Sequence, residues 1–308
     1  MSGTDLAINL RQAFLVYSDE FGAKVCQMDI EGKLQFTVQD LIAAERSLRK
    51  AAGAHPALEG PARAFGRLAR AASRPMRLGV LGESNSGKSS LANLLVGVAA
   101  MPALPVANTR LPTLLTYSPA PFVMALYETG ERITLSASVA PSRSAIKRLE
   151  VGLPSPLLRS VEILDFPGSA NVLLPAASQD HAGYGMDGAI WTTVATQAWR
   201  ESERAHWLAL PKAIRSRSVL AVTFCDVIAG ENDLKRLHAR LEQSARPHFR
   251  EICFVAVADA GHAVPAAANK GLFVQIEKMA REFSSRRLEK ASTIARRLAK
   301  DTLEKIGG

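Results

Sequence analysis

Residues 82–90 of this 308-residue chain read G-E-S-N-S-G-K-S-S, between the apolar runs Met76-Arg77-Leu78-Gly79-Val80-Leu81 and Leu91-Ala92-Asn93-Leu94-Leu95-Val96. Gly82 and Gly87 followed by Lys88 and Ser89 match the Walker A spacing. Two glycines let the backbone curl so that successive N–H groups across Glu83, Ser84, Asn85 and Ser86 point inward. Lys88 places a point charge on β- and γ-phosphates, and Ser89, with Ser90 after it, offers a hydroxyl to Mg²⁺. A helix opening at Lys88 adds its positive dipole end at the same spot. The competing reading is a plain strand-to-helix turn; the placement of the whole spacing between a strand and a helix favours a phosphate cradle.

Two further segments carry chemistry. The apolar run Ser160-Val161-Glu162-Ile163-Leu164 leads into Asp165-Phe166-Pro167-Gly168. An aspartate at the end of a neighbouring strand can hold Mg²⁺ through water, and Gly168 can turn its N–H to a γ-phosphate, the arrangement GTPases use to sense it. Later, Val219-Leu220-Ala221-Val222 runs into Thr223-Phe224-Cys225-Asp226, a T-x-x-D where GTPases show N/T-K-x-D. The Asp226 carboxylate can accept guanine N1–H and N2–H₂, which adenine cannot offer, and an unpaired carboxylate would penalise ATP. Phe224 replaces a lysine whose stem lies against the base, and is available to stack there. The plainer reading of Asp226 is an exposed turn carboxylate. Between cradle and sensor, residues 102–113 hold Thr109 and Thr113, candidates for completing a Mg²⁺ shell when γ-phosphate is present, with Thr109 preferred. Residues 252–258 stand where a last backbone contact to the guanine oxygen would come from.

These groups need a frame that brings strand ends together. Short apolar runs near 76–81, 112–117, 122–128, 160–165, 188–194, 218–224 and 252–257 predict strands, and 88–96, 197–210 and 231–244 predict helices. That alternation is expected of an α/β fold with a largely parallel sheet covered on both faces. Residues 1–74 show helical periodicity, with Leu10, Phe14 and Tyr17 on one face, and Pro75 punctuates their end. Beyond Gly271 one long amphipathic helix carries an apolar stripe through Ile276, Met279, Phe283, Ile294 and Leu298 with Lys and Arg elsewhere. The expected organisation is a helical segment over 1–74, a nucleotide domain over 75–265, and a basic helix over 266–308 packing with the first segment into a bundle.

Composition bounds the partners. The net charge of +9 permits an anionic partner, but the basic residues are dispersed and aromatics make up only 6%, which weighs against nucleic acid. Cys26, Cys225 and Cys253 are far apart and read as small hydrophobes rather than disulfide or zinc ligands. No long uncharged apolar run or secretory pattern is present, so a cytoplasmic location is expected, with peripheral contact at the inner membrane face open to a basic helix.

Over residues 74–260, R-P-M-R-L-G-V-L-G-E-S-N-S-G-K-S-S-L-A-N-L-L-V-G, N-T-R-L-P-T-L-L-T-Y, L-D-F-P-G and T-F-C-D together resemble the dynamin superfamily, particularly bacterial dynamin-like GTPases. The resemblance implies a GTPase fold of mixed sheet with helices on both faces, GTP and GDP as ligands with Mg²⁺, low intrinsic affinity, and hydrolysis stimulated by pairing of two G domains. The spacing from Thr109 through Thr113 to Tyr117 is similar to the family's switch segment. Two departures stand out. Dynamins carry Gln-Ser or Phe-Ser inside the loop to position the attacking water, and here those places hold Ser84 and Asn85; nor does a glutamine follow Gly168. Substitutes are Gln197, or the loop Gly183-Tyr184-Gly185-Met186-Asp187-Gly188 with His181 nearby. A chain of this length also leaves no room for the family's long stalk and lipid-binding tip. The expectation is a Mg²⁺-dependent GTPase working as a dynamin-like switch, able to form a homodimer or to meet a partner protein or membrane. A GTP-responsive interaction module without hydrolysis and an ATP-dependent P-loop protein are the alternatives.

Overall fold

A computed structural model describes residues 36–97, 111–135, 146–166, 185–228, 230–257 and 269–307. Thr109, Gly168, His181, Gly183 and Tyr184 lie outside them, as do Leu10, Phe14 and Tyr17. The chain divides into two compact units, Met1–Arg74 with Glu282–Gly308, and Pro75–Arg281.

In the first unit, α1 (Val38–Ala52) starts at a reciprocal cap: Asp40 N donates to Thr37 Oγ1 at 3.2 Å and Thr37 N to Asp40 Oδ2 at 2.7 Å. The second helix, α2 (Glu59–Ser73), ends where Arg74 turns extended before Pro75, because a proline disfavours helix at the residue preceding it. Leu41 and Leu48 of α1 and Ala62, Phe65, Ala69 and Ala72 of α2, spaced at helical intervals, bury one face each in a shared core. Ala291 and Ala295 from the long last helix complete it, and Ser292 Oγ both accepts from Phe36 N at 3.1 Å and reaches Phe36 O at 3.0 Å.

The second unit is built on nine strands: β1 (Met76–Gly82), β2 (Thr113–Tyr117), β3 (Phe122–Tyr127), β4 (Arg132–Thr134), β5 (Ile146–Leu153), β6 (Val161–Asp165), β7 (Gly188–Val194), β8 (Ser218–Thr223) and β9 (Ile252–Val255). Their order across the sheet is β4-β3-β5-β2-β6-β1-β7-β8-β9. The run β6-β1-β7-β8-β9 is parallel, so five carboxyl ends share one edge, where open α/β sheets bind ligands. Between strands lie α3 (Lys88–Val96), α4 (Glu201–Leu208), the short α5 (Lys212–Arg215) and α6 (Glu231–Ser244); α7 (Lys270–Gly307) follows β9. Among the described residues no helix is long and apolar enough to cross a membrane.

The expected strands all form, but the sheet is more mixed than expected. β2 runs antiparallel to β6, and β3 antiparallel to both β5 and β4. β4 and β5 were absent from the sequence reading. In β5 the cause is a pair of charges in a buried strand: Arg148 and Glu150 sit on one face and satisfy each other, with Arg148 Nη2 donating to Glu150 Oε1 at 2.6 Å. The helix expected over 197–210 is shorter, because Glu203 folds back to accept from Arg200 N at 2.9 Å and caps it there.

Candidate functional site

Gly82 ends β1 with φ of +146°, and a Cβ there would stand 2.4 Å from both Thr192 O and Thr192 Oγ1. Gly87 opens α3 in the left-handed region at φ +80°. Only glycine suits these two positions, which set the curl of residues 83–86. Asn85, at φ +61°, is held in the same region without that freedom. The curl is pinned from the sheet. Ser86 Oγ lies 2.6 Å from Thr192 Oγ1, which itself donates to Leu81 O at 3.0 Å. Thr223 Oγ1, fully buried, lies 2.9 Å from Ser86 O and 3.1 Å from Thr193 O.

Lys88 is buried, and its Nζ donates to Gly82 O at 3.0 Å and Glu83 O at 2.5 Å, placing the ammonium inside the ring of the loop. Burial pulls its pKa below the ordinary lysine value, and the Asp165 and Glu83 charges oppose that fall. Ser89 Oγ donates to Asp165 Oδ2 at 2.9 Å. Burial pushes the Asp165 carboxyl up to about 6, against the Ser89 hydrogen bond and the Lys88 charge. Asp165 Oδ1 is buried with no hydrogen-bond partner among the described residues. A buried carboxylate oxygen without a donor, beside a serine hydroxyl, is the hard oxygen set that suits Mg²⁺. Thr113 begins β2 directly opposite Asp165 in the antiparallel register, also buried; Thr109 and Gly168 fall outside the described residues. Ser90 is exposed beside Ser89.

At the end of β8, Phe224 takes φ +55° and its ring lies against the loop: a Cβ on Gly87 would be 3.2 Å from Phe224 Cε2. Asp226 follows in a short 3₁₀ turn, Cys225–Val227, exposed and with its carboxylate in no hydrogen bond or salt bridge among the described residues. Thr223, read from sequence as part of the base-reading segment, instead spends its hydroxyl on backbone carbonyls beneath the loop. At the next strand end, Asn269 accepts from Ala256 N and donates to Ala256 O, both at 3.1 Å.

The substitutes for a water-positioning residue separate. Gly185–Gly188 lead into β7 at its amino end, with Met186 in the core and Asp187 Oδ2 accepting from Arg77 N at 2.9 Å. This corrects their assignment, because the loop amides and Asp165 lie at the opposite ends of the parallel strands. Gln197, in contrast, lines a cavity of about 210 Å³ with Ser84, Asn85, Thr193, Arg200 and Glu203. Thr192, Thr193, Arg200, Ser202 and Glu203 were not singled out from sequence. The one signal for them was a pair of threonines closing the otherwise apolar run 188–194.

No family model matches the chain. It is 28% identical over 164 residues to Dynamin-like protein 2 of Campylobacter jejuni subsp. jejuni serotype O:23/36 (strain 81-176), a match covering 51% of this chain and 27% of that protein. Two chains from solved structures of an oligomerised bacterial dynamin pair, described as a mechanism for long-range sensing and tethering of membranes, share its fold with TM-scores of 0.55. They are 19% and 16% identical, over 92% of this chain and 47% and 46% of theirs. The chain thus spans about half the length of those dynamins and about a quarter of the Campylobacter protein. In sequence over half of its length, and in fold over nearly all of it, this chain resembles the bacterial dynamin-like proteins.

Proposed function

We propose that this protein binds GTP and GDP with Mg²⁺ and hydrolyses GTP to GDP and phosphate, using the cycle as a conformational switch. The observation that carries the reading is the 2.9 Å bond between Ser89 and Asp165, which joins the cradle to the sensor strand beside a buried lysine. Loop amides and Lys88 take the phosphates, Gly168 senses the γ-phosphate, and Asp226 reads guanine beside the Phe224 ring. Ser89, Asp165 and Thr109 would hold Mg²⁺, which supplies charge neutralisation at the β- and γ-phosphates when bound. In hydrolysis, water attacks the γ-phosphorus and the bond to the β,γ-bridging oxygen breaks; Asn85, Ser84 and Gln197 are the polar groups assigned to that water.

Nucleotide work is assigned to the sheet unit. The oligomerised, membrane-tethering relatives extend the proposal to pairing of two copies across the nucleotide and to peripheral membrane contact. A second reading, a GTP-responsive docking module without turnover, is favoured by the absence of glutamine or phenylalanine at Ser84 and of serine at Asn85. Displacement of a fluorescent GTP analogue with Mg²⁺ by GTP, GDP and ATP, for wild type, Lys88→Ala and Asp226→Ala, tests the reading. GTP and GDP should displace while ATP does not. The Lys88 variant should lose binding, and the Asp226 variant should lose discrimination. Equal displacement by ATP would refute guanine reading, and phosphate release on self-association separates switch from docking module.

A further inference from the structure

Glu83 places a carboxylate at the second position of a loop built to hold phosphates, where any negative charge works against the ligand. That charge is met from outside the loop. Arg200 Nη2 donates to Glu83 Oε2, and Ser202 Oγ donates to Glu83 Oε1 at 2.7 Å. Both groups stand at the amino end of α4, whose dipole adds to the same compensation.

Arg200 is itself fixed. Its backbone N donates to Glu203 Oε2 and its other guanidinium nitrogen, Nη1, to Gln197 Oε1, both at 2.9 Å. Glu203 is buried and accepts from Thr193 Oγ1 at 2.9 Å, tying the arginine to the strand that also pins Ser86. An ion pair whose side chains are 50% and 24% exposed adds little to folding. The bond to its backbone N caps the helix, but fold stability does not account for the two contacts that hold a half-exposed guanidinium on Glu83 and Gln197, whereas its place beside the phosphate loop does.

We propose that the Arg200–Glu83 pair is a charge lock, with Arg200 a positioning residue that determines how strongly the loop prefers a triphosphate to a diphosphate. The inference rests on the nucleotide reading above. With the lock closed the pair is neutral toward the ligand. With Arg200 removed, the free carboxylate repels the ligand, and repels GTP more than GDP because the γ-phosphate adds negative charge. With Glu83 neutralised, the unmatched guanidinium attracts GTP.

The test is the affinity for Mg²⁺-GTP and Mg²⁺-GDP at low and high salt, for wild type, Arg200→Ala, Arg200→Lys, Glu83→Gln and the Glu83→Gln/Arg200→Ala double variant, with a melting temperature for each. Arg200→Ala should weaken GTP on the order of tenfold and GDP by less, the size of one unit charge acting across about a nanometre near a protein surface. High salt should erase the loss. Glu83→Gln should tighten GTP, the double variant should return to within about threefold of wild type, and Arg200→Lys, which keeps the charge, should retain most of the affinity. The inference is overturned if Arg200→Ala and the double variant are equally weak with GTP and GDP falling in parallel, the pattern of a purely structural contact. It is also overturned if neither single variant shifts the GTP to GDP ratio. A wild type that binds no guanine nucleotide would sink the nucleotide reading and this inference together; a wild type that binds while the variants show no charge ordering sinks the inference alone.

Discussion

Replacing Thr223 by valine separates two roles that the same residue was given by sequence and by structure. Valine keeps the shape and removes one hydroxyl, fully buried and set 2.9 Å from Ser86 O and 3.1 Å from Thr193 O. The loss leaves Ser86 O, in the middle of the loop, without its partner from the sheet. A buried carbonyl left unpaired costs about 1–3 kcal/mol. For a unit the size of Pro75–Arg281, that corresponds to a fall in melting temperature of roughly 3–10 °C. Because the loop and not the base pocket is disturbed, GTP, GDP and any ATP binding should weaken by the same factor, leaving guanine selectivity intact. Thermal unfolding and nucleotide displacement on the same samples check both halves. A variant with an unchanged melting temperature and lost guanine selectivity would refute the tether and restore Thr223 to base reading.

Three other outcomes are expected. Asp165 has a folded pKa of about 6 against 3.8 for the free group, so its contribution to stability is fully present below pH 3.8 and is lost as pH rises through about 6. The loss is bounded at about 3 kcal/mol; Asp165→Asn should flatten that part of the stability profile, and an unchanged slope between pH 4 and 7 would contradict the assignment. Gly82→Ala forces a side chain into φ +146° and to 2.4 Å from Thr192 O, which should cost about 1–3 kcal/mol in backbone strain alone and weaken every nucleotide alike; tolerance in both assays would show that the loop is not held as described. Arg148→Ala strands the buried Glu150 with, among the described residues, only Arg132 at 3.6 Å, and denaturant unfolding should register a loss of about 3 kcal/mol that a second change, Glu150→Met, largely reverses.

Much of the architecture was legible because its signals are local. The alternation of apolar runs and helical stretches marks seven of the nine strands, and the spacing of Gly82, Gly87, Lys88 and Ser89 announces the cradle without reference to any other part of the chain. The thin signals were those in which tertiary contact overrides composition. β5 carries Lys147, Arg148 and Glu150 in an eight-residue strand, a charge density that reads as surface until Arg148 and Glu150 neutralise each other in the sheet. The helix expected from Gln197 starts later because Glu203, a residue with no cue of its own, bonds back to the chain entering it.

The division between the two sources follows the range of the forces involved. Backbone propensity, hydrophobic period and motif spacing act within a few residues, so the sequence by itself determined where seven of the nine strands form, which loop curls between the first strand and its helix, and which aspartates stand at strand ends. Hydrogen bonds and ion pairs join whatever the topology brings together, so only the tertiary structure decided that Ser89 meets Asp165, that the Thr223 hydroxyl meets Ser86 O, and that Gly185–Gly188 lead into the amino end of β7. It also decided that Arg200, 117 residues along the chain from Glu83, closes on its carboxylate.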